Sequence, residues 1–152
     1  MVVPLMFILA VAVGDFGRLF NAAIATESAA REAADYGAFL GSSAWAAADA
    51  PWTNNDTEMR LRACTAMAGE AGYENTAGTC SGNPTMTWRL EDSDGTSPPS
   101  GDCGTRTGLV APCRIHVTIT YIFQPIIAVP PIPDSLSLTR ESWFAISDLT
   151  GN

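Results

Sequence analysis

The feature that most constrains this chain is its start, where thirteen consecutive apolar residues run from Met1 to Val13 and a charged pair, Asp15 and Arg18, follows directly behind them. Apolar surface of this extent must be removed from water. A helix that crosses a bilayer needs about 20 apolar residues, and a secretory signal peptide begins with basic residues, whereas nothing before Arg18 is basic. As written, the run therefore fits neither a standard transmembrane helix nor a standard signal peptide.

The rest of the chain is acidic, and this limits the partners that it can have. The formal net charge of the 152 residues is −8 and the isoelectric point is about 4.4. Such a surface cannot neutralise phosphates, so we expect no nucleic acid as a partner. It fits a solvated surface that faces the outside of a cell.

Four cysteines lie in the C-terminal two-thirds of the chain, and no pair of them has the spacing of a zinc site or of a redox motif. In an exported chain we expect two disulfides, although four cysteines allow three connectivities. The expected pairs are neighbours, Cys64 with Cys80 and Cys103 with Cys113. Each would close a short loop and stabilise the fold by about 3 kcal/mol. The alternative is four reduced, buried thiols in a cytosolic protein, which the lysine-free, threonine-rich composition disfavours.

The first third of the chain is rich in alanine and predicts one long helix from Val2 to about Ala48. Gly37 and Gly41 weaken this helix, and Pro51 stops it. Apolar residues at helical spacing predict a packing face of mostly small side chains, formed by Phe16, Phe20, Ala23, Ile24, Ala30, Ala34 and Leu40.

A short second helix is predicted to follow the proline. Asn55 can cap it, because Glu58 lies three residues further on, at the spacing of a capping box. Gly69 and Gly72 are expected to end it. Asn55 also begins a glycosylation sequon, Asn-Asp-Thr, so modification is an alternative role for this residue.

Beyond the second helix the apolar pattern changes to a period of two, which predicts strands. Residues 85–91, 114–123 and 136–146 alternate apolar and polar side chains, and the proline-rich segment 124–134 makes a stiff connection between the last two. The sequence therefore predicts an α+β fold, in which a long N-terminal helix packs on a small antiparallel sheet with a short second helix. We expect residues 1–50 to form the helical part, with an apolar segment at 1–20, and residues 51–152 to form a globular head.

The sequence holds no pattern that calls for catalysis. The single histidine, His116, lies on the polar face of a predicted strand and is expected to be an ordinary surface residue. Asp92, Asp94 and Gly95 resemble the opening of a calcium loop, but the third acidic ligand and the spaced glutamate are missing, so a solvated acidic turn is favoured. We therefore expect no enzyme activity, no catalytic residue, no cofactor and no metal.

Asp15 and Arg18 are separated by one turn of the predicted helix, and two interpretations of the pair stay open. They can neutralise each other locally at the edge of the apolar segment. Alternatively, if the helix packs among copies of itself, they can pair between subunits and fix the stagger of one subunit against the next, because unpaired charges are costly where water is scarce.

Both ends of the chain resemble a known family. The segment VVPLMFILAVAVGDFGRLFNAAIATESAAREAADYGA is similar to the N-terminal segment of TadE-like pseudopilins of tight-adherence (Flp) pilus systems. The segment VTITYIFQPIIAVPPIPDSLSLTRESWFAI resembles the late strand, proline-rich turn and final strand of the same family. The resemblance covers about residues 2–41 and 115–146, and the middle of the chain departs from it.

The resemblance implies a protein related to type IV pilins. Such a subunit would be held in the inner membrane before assembly, bury its helix among copies of itself and of other pilins in a filament, and present its head outside the cell. The alternatives are a minor pseudopilin that initiates or caps a pilus, and a membrane-anchored extracellular binding module. The residues expected to carry assembly are Leu5, Phe7, Ile8, Asp15, Phe16, Arg18 and Phe20.

One departure from the family concerns the N-terminus. Pilins that are processed by prepilin peptidase generally keep a glutamate near the new N-terminus, whereas no acidic residue precedes Asp15 here. We expect either that the start is trimmed or that the chain is matured differently. Asp15 is then the first candidate to take the role of that glutamate.

Overall fold

The computed structural model describes residues 2–70, 73, 82–106, 112–126 and 133–146, without the side chains of residues 4 and 5. Within these residues the chain forms a long helix, a shorter second helix and a three-stranded antiparallel sheet. This confirms the predicted α+β, pilin-like arrangement. The helices are α1 (Val2–Phe39) and α2 (Thr53–Ala66), and the strands are β1 (Thr85–Glu91), β2 (Arg114–Phe123) and β3 (Leu136–Ala145).

Helix α1 is 38 residues long, which corresponds to about 57 Å at 1.5 Å per residue. The prediction that it continues to about Ala48 is wrong, because it ends at Phe39. Gly41 lies just beyond this end with a φ of 77°, a conformation that glycine adopts at little cost. The chain then turns back on the helix in two short 3₁₀ turns, and the buried indole of Trp45 donates a hydrogen bond to the Gly37 carbonyl at 2.9 Å.

Helix α2 begins at Thr53, so the prediction that Asn55 caps it is wrong. Asn55 lies inside the first turn, and its side-chain nitrogen donates to the Ala44 carbonyl at 2.8 Å. The residue before the helix is Trp52, whose φ of 52° is uncommon for a large side chain. Its indole donates to the Ala46 carbonyl at 2.9 Å. Glycosylation of the sequon stays a prediction, and the nitrogen that it would modify is already bonded.

The sheet has the strand order β1-β2-β3, with each neighbouring pair antiparallel. Strand β2 is central, and one of its faces forms the middle of the core. The predicted alternation explains this burial, because side chains two residues apart point to the same face of a strand. The residues of β2 on the buried face, each at most 3% exposed, are Ile115, Val117, Ile119, Tyr121 and Phe123.

Helix α1 packs on the sheet and on α2 through its smallest residues. Ala30 and Ala34 are buried as predicted, but the larger members of the predicted packing face, Phe16, Phe20 and Ile24, are exposed. The close approach of α1 to the sheet explains why small residues are buried on this face and large ones are not. A Cβ added at Gly37 would lie 2.6 Å from the Ile115 side chain. The other alanines on the packed face are Ala22, Ala29, Ala33 and Ala38.

Cys103 and Cys113 form a disulfide, which joins the loop after β1 to the residue before β2. Cys64 is buried in α2 and is also disulfide-bonded. Cys80 lies outside the described residues, so the predicted Cys64–Cys80 pairing stays a prediction.

A substitution beside this disulfide tests the packing of the loop. A Cβ at Gly104 would lie 2.5 Å from the Ala46 Cα and 2.9 Å from its nitrogen, and backbone atoms cannot yield as a flexible side chain can. We expect Gly104→Ala to lower the free energy of unfolding by about 1 to 3 kcal/mol, measured by urea denaturation of the full chain in mild detergent. Gly101→Ala is the matched control, because its Cβ would meet only the Arg106 guanidinium at 3.8 Å. Equal effects of the two substitutions would contradict this packing.

Candidate functional site

The N-terminal half of α1 exposes its apolar side chains. Phe7 and Phe16 are each 68% exposed, and Ile8 and Phe20 are exposed to a similar extent. By length and composition α1 is a helix that could cross a membrane, and only 6% of its apolar stretch is buried within the chain. Leu5 lies in the same helix, but its side chain is outside the described residues. This half of α1 therefore carries the predicted assembly residues and has its apolar surface available for a partner.

The exposed apolar surface continues along α1 past the point where the head begins. Five exposed side chains follow one another at intervals of four, three, four and four residues, which places them on one face of the helix. These residues are Leu9, Val13, Phe16, Phe20 and Ile24. This face carries large, exposed side chains. The face of α1 that the sheet and α2 cover carries small, buried ones, mainly alanines.

Asp15 and Arg18 form a local ion pair, with 2.9 Å between Arg18 Nη1 and Asp15 Oδ1. The second carboxylate oxygen of Asp15 accepts a hydrogen bond from the backbone N–H of Ile126 at 2.8 Å. The Arg18 guanidinium lies over the Phe123 ring, 5.4 Å from its centroid. The pair thus joins α1 to the segment that follows β2. Pairing between subunits stays a prediction.

An apolar groove of about 400 Å³ lies beside this junction. One wall comes from α1 and includes Ile8, Val11 and Phe16, and the other comes from the head and includes Pro125 and Leu136. Asp15 is the charged residue that lines it.

A notch on α1 lies next to the ion pair. Gly14 and Gly17 form its floor, and a Cβ added at either glycine would meet no atom within 4 Å. Arg18 and Glu70 also line this notch, whose volume is about 380 Å³. Burial raises the pKa of the Glu70 carboxyl, although the charge of Arg18 acts in the opposite direction. Packing within the chain therefore does not require these glycines, and small residues on a helix allow another helix to approach closely.

Comparison with protein families gives a match to this part of the chain. The TadE-like protein family matches residues 1–35. The N-terminal segment is TadE-like. The match is consistent with a TadE-like pseudopilin. No curated protein and no solved structure matches the chain.

The TadE-like segment, residues 1–35, contains the exposed half of α1, the ion pair and the two glycines of the notch. The apolar helix is consistent with membrane anchoring. The resemblance of residues 115–146 to the family lies beyond the match and stays a prediction.

Away from the TadE-like segment, an ionic cluster lies on the face of the sheet that points away from α1. Its centre is Glu91, a buried residue of β1. The carboxylate accepts hydrogen bonds from Arg89 Nε at 2.6 Å and from Arg114 Nε at 2.8 Å, and it lies 2.8 Å from His116 Nδ1. The expectation that His116 is an ordinary surface residue is wrong, because it is 7% exposed and enclosed by this cluster.

The strand register explains how the cluster forms. Arg89 and Trp143 face His116 across the neighbouring strands, and the Trp143 ring lies edge-on to the imidazole with 5.7 Å between the ring centroids. Glu91 faces Arg114 in the same way. The alternation of each strand could be read from the sequence, but the partners of His116 depend on the pairing of strands that are far apart in the chain.

The pKa of Glu91 reflects this environment. Burial by itself raises the pKa of the carboxyl, but hydrogen bonds from His116, Arg89 and Arg114 outweigh it and lower the pKa from 4.5 to about 2. Because the guanidinium of Arg114 on β2 and that of Arg89 on β1 both donate to this one carboxylate, the cluster is a cross-link between β1 and β2.

The acidic turn after β1 is also held by internal contacts. Asp92 forms an ion pair with Arg106 at 2.7 Å and accepts a hydrogen bond from the Ser100 N–H at 2.9 Å. Gly95 has a φ of 94° in this turn, which glycine adopts without strain. Asp92 therefore stabilises the loop that leads to the Cys103–Cys113 disulfide.

Replacement of Glu91 tests the cross-link. Glu91→Gln keeps the shape of the side chain and removes its charge, so we expect the free energy of unfolding at pH 7 to fall by about 1 to 3 kcal/mol. The folded-state pKa lies below the unfolded value, so the carboxylate stabilises the fold above about pH 4.5 and this contribution is lost as the pH falls towards 2. The difference in free energy of unfolding between the parent and Glu91→Gln, measured by urea denaturation, should therefore shrink as the pH is lowered from 4.5 towards 2.

Glu141→Gln is the matched control, because Glu141 is half exposed and lies 3.3 Å from the other nitrogen of His116. We expect it to change the free energy of unfolding by less than about 1 kcal/mol. An equal loss from both substitutions, or a loss from Glu91→Gln that is independent of pH, would contradict the role assigned to Glu91.

Proposed function

We propose that this chain is a structural subunit of an extracellular filament of the type IV pilus kind, assembled through its apolar N-terminal helix with the head outward. The observation that carries the proposal is the exposed apolar half of α1 within the TadE-like segment. Complete burial of one large apolar side chain is worth about 1.5 to 3 kcal/mol. Several such side chains on one helix supply a strong driving force for association.

The contacts in such a filament are between copies of the chain, and between the chain and other pilins. A contact that joins two different surfaces of identical subunits repeats into an open helical polymer. The apolar stripe from Leu9 to Ile24 and the glycine notch are two different surfaces of α1. One subunit can therefore place its stripe against the notch of the next.

Before assembly the same helix holds the subunit in the inner membrane. The apolar composition of α1 supports this, and the local pairing of Asp15 with Arg18 reduces the cost of carrying two charges near lipid. The head then faces the oxidising side of the membrane, where the Cys103–Cys113 disulfide persists.

The match of residues 1–35 to the TadE-like protein family supports a second candidate, a minor subunit that initiates or caps a pilus made of another protein. It would use the same helix surface. Abundance separates the two, because a major subunit dominates filaments sheared from cells and a minor one is scarce in them.

A substitution in the notch tests the proposal. The space around Gly17 is open within the chain, so Gly17→Leu should leave folding unchanged or raise helix stability by a few tenths to about 1 kcal/mol. In a filament the added side chain would collide with the neighbouring helix. We expect the yield of sheared filaments to fall at least about tenfold, which corresponds to about 1.4 kcal/mol of lost association energy.

The matched control is Ser28→Leu, which adds the same side chain at an exposed position of α1 outside the notch. It should assemble normally, and circular dichroism should show both variants folded. Normal filaments from Gly17→Leu would mean that no helix packs against the notch, as in a chain that is only anchored in the membrane.

A further inference from the structure

The edge of the head beside the N-terminal half of α1 carries a group of apolar residues. The end of β2 and the approach to β3 also include Gln124, Asp134 and Ser135, and the described apolar residues there are Phe123, Pro125, Ile126, Pro133 and Leu136. We call these residues the apolar edge. Ile126 is 65% exposed and Leu136 is 39% exposed. The sequence between Phe123 and Asp134 contains no charged residue.

The apolar edge meets α1 within the part of the helix that could span a bilayer. The groove places it beside Ile8, Val11, Ala12, Phe16 and Leu19. The helix that is long and apolar enough to cross a membrane covers Met6–Phe39, and a crossing helix needs about 20 residues. The groove residues of α1 belong to the apolar part of this helix. When that part crosses the bilayer, the apolar edge beside it lies at the depth of the membrane.

The charges at this depth are covered by the same edge. Asp15 has 15% and Arg18 has 34% of its side chain exposed. Asp15 binds both Arg18 and the Ile126 N–H, and Arg18 lies over Phe123. A charged group in hydrocarbon is costly unless it is paired. Two residues of the apolar edge thus shield the ion pair from lipid.

We propose that the apolar edge enters the outer leaflet of the bilayer together with α1 while the subunit is held in the membrane, and that the groove between them takes lipid acyl chains. The inference rests on the membrane-held stage of the proposed function. The occupant is lipid because the groove lies on the candidate spanning segment and, apart from Asp15, its described lining is uncharged. The head is consequently seated in the membrane surface and not suspended above it.

Fluorescence quenching in vesicles tests this. The full chain is reconstituted in vesicles of phosphatidylethanolamine and phosphatidylglycerol whose acyl chains are brominated near the headgroup, as the parent and as Ile126→Trp. The matched control is Leu61→Trp, at an exposed apolar position of α2. We expect the tryptophan added at position 126 to lose at least about half of its fluorescence to bromine. The tryptophan added at position 61 should be quenched no more than those of the parent.

Flotation of the parent with the vesicles separates the inference from the function on which it rests. Failure to float would overturn the membrane-held stage, and the inference with it. Flotation with equal quenching at positions 126 and 61 would overturn the inference alone. If the emission of Ile126→Trp shifted to the blue only in assembled filaments and not in vesicles, a second copy of the chain would be the occupant, and the lipid assignment would be wrong.

Discussion

The structure depends on the close packing of the alanine and glycine face of α1 against β2 and α2. Only small side chains allow this approach, and at Gly37 even a single added carbon would meet Ile115. The consequence is a division of α1 into two faces, because the large apolar residues among the described side chains of positions 2–24 are left exposed or half-buried at the edge of the head. The packing that builds the head thereby also creates the surface that the head cannot cover.

Much of the fold follows from local sequence patterns. The alternation of Ile115, Val117 and Ile119 identifies β2 and its buried face, and the alanine-rich segment identifies α1. The end of α1 does not follow from these patterns. The chain turns back at Gly41 and is held there by the Trp45 indole, a contact between side chain and backbone that helix propensity does not reveal.

The candidate site was only partly predictable for a similar reason. The apolar run and the Asp15–Arg18 spacing are visible in the sequence, whereas Asp15 also accepts a hydrogen bond from a backbone group 111 residues away. His116 illustrates the same limit. The alternation within β2 correctly places His116 on the outer face of the sheet. Its burial, however, depends on Glu91 and Trp143, which belong to the two other strands. Contacts between distant elements determine both sites, and a single sequence does not report them.

The central claim is that copies of the chain bury the exposed half of α1 in a filament. Electron microscopy of filaments sheared from cells that produce the chain, with gold-labelled antibody against the head, tests it most directly. The account predicts filaments that are labelled along their whole length. Label confined to filament ends, or to membranes without filaments, would contradict it.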